Sequence, residues 1–429
     1  MPHKLGPDRN LAKAGSIALG VAGHLDLACA LGPRSRVHAS GRMSPNGLPG
    51  WLERRRALYA ALREADVSAA SIEAFDLFPC IMPKEDPKWR FALGASPTTE
   101  GWTLRLRSQD GVEGFGYASA TPHMGAIYSA LKAQLDYLAT SVIGAESNNV
   151  EDILQKLDAA MRGAPQAKAA IDCALHDLNA RRLGVPLCHL FGGAVRTRTP
   201  ILRILAIKTP EEMAAQAQKL VGRGYRYLKI KVHGEVAEDV LRVAAIRRQV
   251  GADVRLTIDA NQSYSVKDAI SALSRMAEYD IDLAEQPVHI DDLEGLALVT
   301  RMSPITIEAD ESASSLRNIY ELVTRRVVDA VSLKIPKLGG LRNTLAAARI
   351  CEAGGIRYRM GAAVGSRLLS AAAIHMACAM PGVDYACELG EFERLLDDPF
   401  EGIEIVNGEL SLPDGPGAGV RLRAAAAGS

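Results

Sequence analysis

The chain carries no net charge, with 50 Lys and Arg set against 50 Asp and Glu over 429 residues. Proteins that live on nucleic-acid backbones usually show a basic excess, so a nucleic-acid partner is disfavoured. No run approaches the roughly 18 apolar residues needed to cross a bilayer, and no membrane partner is expected. Cysteine is sparse: seven residues, an odd number, scattered between Cys29 and Cys387. That scatter makes neither a disulfide framework nor a zinc pattern, and a reducing, cytoplasmic location is expected. Residues 14–23 come nearest to a leader, following Lys4, Arg9 and Lys13. They are glycine-rich and run straight into His24 and Asp26, which argues against export. A Gly-x-Gly-x-x-Gly phosphate loop is also missing.

What is present is an ordinary globular composition, 48% hydrophobic and 23% charged, long enough for two domains. Residues 1–64 read as a poorly defined N-terminal extension, basic and rich in Gly and Pro, with a short helix over 51–64. Residues 65–192 read as an α+β domain. The strand over 101–107 alternates Trp102, Leu104 and Leu106 with Thr103 and Arg105. Asp110-Gly111 turns it into its hairpin partner, and three helical stretches follow over 127–143, 150–161 and 165–183.

From residue 193 to 398 the texture becomes a repeated strand–helix unit. Polar residues near successive strand ends, Lys231, Asp259, Glu285, Asp310 and Lys334, lie 28, 26, 25 and 24 residues apart. One βα unit needs about that length, and even spacing without a phosphate loop favours closure into a barrel over an open doubly wound sheet. Residues 399–429 read as a C-terminal segment returning to the first domain.

In such a barrel every C-terminal strand end faces one mouth, so Asp259, Glu285 and Asp310 converge there. Three clustered carboxylates repel one another, and a divalent cation removes the cost; oxygen-only ligands suit Mg²⁺, or Mn²⁺, better than zinc. A single Asp in such a place can simply cap the next helix, but three at this spacing argue for a shared site. Lys229 and Lys231, two apart, share a face of their strand, and Lys334 lies well across the ring. Proton transfer is one use for these lysines; a salt-bridge network closing the ring is the other. Lys337, just before Gly339-Gly340, reads as surface loop or helix start.

The set Lys229-x-Lys231, Asp259-x-Asn261, Glu285-Gln286-Pro287, Ala309-Asp310-Glu311-Ser312 and Lys334-x-x-Lys337-x-Gly339-Gly340 resembles the enolase superfamily, and most of all its muconate cycloisomerase (muconate lactonizing) branch. That resemblance implies a modified TIM barrel of (β/α)7β type under an α+β capping domain, assembled as a homo-oligomer. It implies Mg²⁺ on Asp259, Glu285 and Asp310, with Lys231 and Lys334 as opposed acid/base groups. Lys229 would tune Lys231 and contact a substrate carboxylate, Asn261 would orient from behind, and Glu311 would pair with Lys334. The shared chemistry is removal of a proton α to a carboxylate, leading to racemisation, epimerisation or cycloisomerisation of a small organic acid. A dehydratase with the same first step is the alternative.

The pattern also departs from relatives. Leu369 stands where many carry a Glu after the seventh strand. Near the eighth, only Glu388 matches the paired acids with which dipeptide epimerases hold an ammonium. The remaining substrate-binding candidates are Lys84, Trp89 and Arg90 on a lid-like loop over 83–91, together with His123, Arg367 and Glu388. For each a plainer reading stands beside it: Trp89 docked on its own domain, His123 on the surface, Arg367 paired with Glu388.

Overall fold

The computed structural model describes residues 70–361 and 363–423; the expected N-terminal extension and its short helix lie outside them. Three antiparallel strands come first, β1 (Ile72–Pro83), β2 (Thr98–Ser108) and β3 (Glu113–Ser119), in the order β1-β2-β3. Helices α1 (Tyr128–Thr140), α2 (Val150–Ala160) and α3 (Pro165–Arg182) cover them. Leu104, Leu106, Leu131, Leu135, Ile171 and Leu178 form their shared core.

Helix α3 is buried along most of its length because it lies between this sheet and the barrel. Small residues make that possible. A Cβ on Gly116 would meet the Ala170 carbonyl oxygen at 1.8 Å, so β3 and α3 touch backbone to backbone only because the strand has no side chain there.

The barrel is built from β4 (Leu202–Leu205), α4 (Pro210–Gly222), β5 (Tyr227–Lys231), α5 (Val236–Val250), β6 (Arg255–Asp259), α6 (Val266–Met276), β7 (Ile281–Glu285), α7 (Leu293–Met302), β8 (Thr306–Ala309), α8 (Leu316–Thr324), β9 (Ala330–Leu333), α9 (Leu341–Gly354), β10 (Arg357–Met360) and α10 (Arg367–Ala379). Its seven strands pair in parallel in chain order. The ring closes through a segment too short to be a full strand. The Glu388 amide donates to the Met360 carbonyl at 2.9 Å, and the Leu202 amide donates to the Cys387 carbonyl at 2.9 Å. This is the modified barrel under an α+β cap that the motif spacing predicts.

Local chemistry fixes the helix starts. Thr209 and Glu212 form a reciprocal capping box on α4, and Ser265 caps α6 through the Asp268 amide. Helix α8 begins only at Leu316, after the loop that carries Asp310, and β9 stops at Leu333, where Lys334 caps a short helix, Ile335–Leu338. Gly339 and Gly340 end that helix at positive φ. A Cβ on Gly340 would collide with the Asp172 carboxylate of α3, which ties the motif's glycines to cap–barrel packing. Among the described residues no helix is long and apolar enough to cross a membrane.

Candidate active site

Parallel register sets the first row of the site. Lys231 stands opposite Asp259, Asp259 opposite Glu285, and Glu285 opposite Glu308, so four charged side chains sit abreast at the strand ends. The next layer is held by Gln286, whose side-chain carbonyl accepts from the amides of Asp310 (3.0 Å) and Ser312 (3.1 Å). Gln286 thus staples the end of β7 to the loop that presents Asp310. Asn261, Gln262 and Gln286 all have positive φ, a costly conformation that concentrates where strands turn over the mouth.

Each lysine meets carboxylates. Lys229 is fully buried and commits its three N–H groups to Glu285 (2.6 Å), Glu388 (2.7 Å) and Asp259 (2.9 Å). It keeps none for a substrate carboxylate, contrary to the contact expected of it. Lys231 reaches Asp259 at 2.5 Å and the Asn261 side-chain oxygen at 2.7 Å. Lys334 bonds Asp310 from the far side. Lys337 is buried rather than a surface residue: it donates to the Asp310 carboxylate (2.7 Å) and to the Ser332 carbonyl (2.9 Å).

Below this layer Arg359 fills the barrel axis, bonded to Glu308 at 2.7 Å and also to Glu285 and Glu388. Sequence reasoning missed Arg359, Glu308 and the buried role of Lys337. The available signal was a charged residue at an inward position of a strand buried on both faces, Arg359 just before Met360 and Glu308 just before Ala309.

These contacts set the charge states. Burial opposes ionisation of Asp259 and Asp310, but Lys229 and Lys231 outweigh it at the first, and Lys334 and Lys337 at the second, so both carboxyls lie below their ordinary pKa. Burial, reinforced by Asp259, pushes Glu285 well above its ordinary value. Burial likewise opposes the charge on Lys334, yet Asp310 and Glu285 prevail and raise its pKa.

Other predicted partners differ. Glu311 accepts from Asn261 at 3.2 Å rather than from Lys334. Glu388 is sealed beneath the mouth by Lys229 and Arg359. Arg367 pairs with neither a mouth carboxylate nor Glu388: it contacts Asp398 at 3.3 Å and lies over the Phe392 ring.

The loop over 83–91 does reach the barrel. Trp89 packs on Ile204 and Ala206 of the barrel wall as well as on Phe91 and Lys84 of its own loop, and the Phe91 ring lies 5.4 Å from the Lys231 ammonium. Lys84 faces inward to the Ser96 carbonyl (2.8 Å) and the Trp89 ring, so it is not offered to the mouth. Arg90 is exposed, with its carbonyl accepting from the Ile207 amide. His123 is solvent-exposed at the rim, edge-on to Phe91 at 5.2 Å. Partial loss of hydration on its inner side and the Lys334 charge push its pKa down to about 4, which makes it a neutral ring near neutral pH.

Two family descriptions divide the chain where its layers divide. Residues 81–192 match the mandelate racemase / muconate lactonizing enzyme N-terminal domain, and residues 212–426 match the enolase C-terminal domain-like family. This chain belongs to the enolase superfamily. It is 35% identical to the hydrophobic dipeptide epimerase of Enterococcus faecalis over 69% of this chain and 84% of that one. It is 36% identical to chloromuconate cycloisomerase CbnB of Cupriavidus necator, over 67% and 78% respectively. The substrate-liganded L-Ala-D/L-Glu epimerase of Bacillus subtilis superposes with a TM-score of 0.79 at 31% identity, covering 82% of this chain and 98% of that one. The likeness therefore extends across epimerase, racemase and cycloisomerase branches, without the preference for the muconate branch that the motifs suggested. The chain is an enzyme of this superfamily, whose common chemistry is metal-assisted abstraction of a proton from small carboxylic acids.

The donor set can be tested against a cation. Among the described residues no three acidic, His or Cys side chains are gathered closely enough to hold a metal ion in this conformation. Lysines instead occupy the inner faces of Asp259 and Asp310. Yet Glu285 Oε1 is buried and has no hydrogen-bond partner, an acceptor left open in the middle of the row. Oxygen-only donors with one orphaned acceptor are of the kind a hard divalent cation takes, although in this conformation the three carboxylates are not close enough to share one.

Proposed function

We propose that this enzyme isomerises a small organic acid, by racemisation, epimerisation or cycloisomerisation, through removal of the proton α to a carboxylate. Asp259, Glu285 and Asp310 would hold Mg²⁺ or Mn²⁺, which when bound supplies positive charge against the negative charge that develops on the substrate carboxylate. The observation that carries this reading is the disposition of two amines about one carboxylate row. Lys231 is tethered to Asp259 at one end, and Lys334 to Asp310 at the other. An α-carbon held over the row would lie between them, with Lys231 taking a proton from one face and Lys334 returning it on the other. A neutral lysine accepts and a charged one donates, so the pair alternates protonation states. Asn261 keeps Lys231 aimed, and Lys337 fixes the Asp310 carboxylate that Lys334 leans on. Phe91 and Trp89 would shut water out of the mouth.

Two features favour isomerisation over dehydration and bear on the substrate. The relatives named above are isomerases, and Lys231 and Lys334 are both in place. Glu388 is engaged by Lys229 and Arg359, and Leu369 supplies no charge, which favours an acid whose nitrogen, if it has one, is blocked rather than a free ammonium.

The test is exchange of the α-hydrogen in deuterated water over a panel of N-acyl amino acids, dipeptides and unsaturated diacids, with Mg²⁺ and after chelation. Lys231→Ala and Lys334→Ala should each lower turnover about 10³-fold while sparing exchange on the face served by the other lysine. Parent-like exchange of both stereoisomers in both variants would sink the two-base reading. Undiminished turnover after chelation would sink the metal.

A further inference from the structure

Outside the barrel mouth, a cleft of about 690 Å³ opens between the lid loop, helix α4 and residue 394. Six of its lining side chains are basic and three acidic. Three side chains that line it are at least nine-tenths buried and carry an N–H with no acceptor among the described residues: Trp89 Nε1, Arg203 Nε and Arg394 Nε. The rest of each arginine is engaged. Arg203 reaches the Gly390 carbonyl at 2.8 Å and Glu391 at 3.1 Å, and Arg394 reaches Glu391 at 2.6 Å and the Ile204 carbonyl at 3.2 Å. These three open groups are donors, and Glu391 pairs with both guanidiniums.

Gln216 of α4 also lines the cleft, with its side-chain oxygen buried and unpartnered; turned over, the same amide offers a fourth donor. Lys84 adds a cation that makes one hydrogen bond, to the Ser96 carbonyl, and stands 4.7 Å from the centre of the Trp89 ring. Its burial and the nearby Arg394 charge lower its pKa to about 8, against a smaller opposing pull from Glu391. Orphaned donors of this kind are expensive unless an acceptor reaches them.

We propose that this cleft binds a small oxyanion, a phosphate or a carboxylate, on Trp89, Arg203 and Arg394 with Lys84 beside them. The occupant would bridge the loop that carries Lys84 and Trp89 to the barrel strand that carries Arg203. Phe91, two residues beyond Trp89, would then be fastened over Lys231. The site is separate from the carboxylate row, and its occupancy does not depend on which reaction the row performs.

Isothermal titration of the full-length protein with inorganic phosphate, and separately with succinate, at constant ionic strength tests this. Saturable one-to-one binding is expected, and the tighter anion names the class. Gln216→Glu puts a carboxylate into the cleft from a half-buried position and should weaken binding tenfold or more. Arg394→Gln should do the same where its circular dichroism matches the parent; where it does not fold, Gln216→Glu alone decides. A Lys231→Ala/Lys334→Ala double variant should bind like the parent. No saturable binding of either anion, parent-like binding in Gln216→Glu, or loss of binding in the double-lysine variant would each overturn the proposal.

Discussion

The contact between the antiparallel sheet and α3 and the interior of the barrel are both sealed from water, yet they are made of opposite materials. The first is mostly aliphatic and close-packed, with Gly116 against Ala170 and Leu104, Ile171 and Leu178 around them, and one buried carboxylate, Asp177, accepting from the Phe115 amide. The second holds Lys229, Glu285, Glu308, Arg359 and Glu388 where a barrel ordinarily stacks Val, Ile and Leu. Apolar packing gains from each area buried and loses in proportion when a part is removed. A buried ion network behaves differently, because deleting one member leaves its partners charged and unpaired.

That contrast can be broken most sharply at Arg359. Arg359→Met removes the cation shared by three buried glutamates, and urea unfolding should show a loss of about 3–5 kcal/mol. A loss under about 1 kcal/mol would mean that the network is not held as a unit. Next comes a lone polar group set among apolar side chains, His375 of the barrel helix α10, which is fully buried. Burial lowers its pKa to about 4 from an ordinary 6.5. Between those values the unfolded chain takes a proton that the folded protein refuses. Its contribution is therefore intact above pH 6.5 and disappears as pH falls to 4, by about 3 kcal/mol in all. Unfolding measured at about pH 7 and about pH 4.5 should show less acid sensitivity in His375→Gln than in the parent.

A smaller effect is expected from Gly116→Ala, which adds one methyl to a backbone contact and should cost about 1–3 kcal/mol in the same assay. The smallest tests whether charge pairing matters without burial. Lys156 and Asp152 make a 2.7 Å pair on the exposed face of α2, and Lys156→Ala should cost no more than about 0.5 kcal/mol. An effect comparable to Arg359→Met there would erase the distinction.

The two regions also differ in how far they could be read in advance. Periodicity exposes apolar faces, so β2, its hairpin partner β3 and α3 were legible to within a few residues. Strand-end spacing predicts that Asp259, Glu285 and Asp310 share one mouth, because the barrel's register does the placing. Side-chain partners did not follow, since they depend on which of several nearby charges comes closest. Glu311 chose Asn261, Arg367 chose Asp398, and Lys337 turned inward to Asp310. Arg359 stayed hidden for a related reason. In a four-residue strand with two arginines, Arg359 looks no different from its exposed neighbour Arg357 until Glu285, Glu308 and Glu388 are brought around it by the closed barrel.

The short segment that closes the ring has a consequence for the order in which the molecule is made. Cys387 and Glu388 join the last full strand, at Met360, to the first, at Leu202, across almost the entire length of the barrel. The same segment delivers Glu388, a shared partner of Lys229 and Arg359. During synthesis Lys229 precedes that counter-charge by 159 residues and Arg359 by 29, and long-range closures of this kind form late. A chain stopped short of residue 387 would therefore lack both its seam and the neutrality of its interior, and would present an open parallel edge to its neighbours.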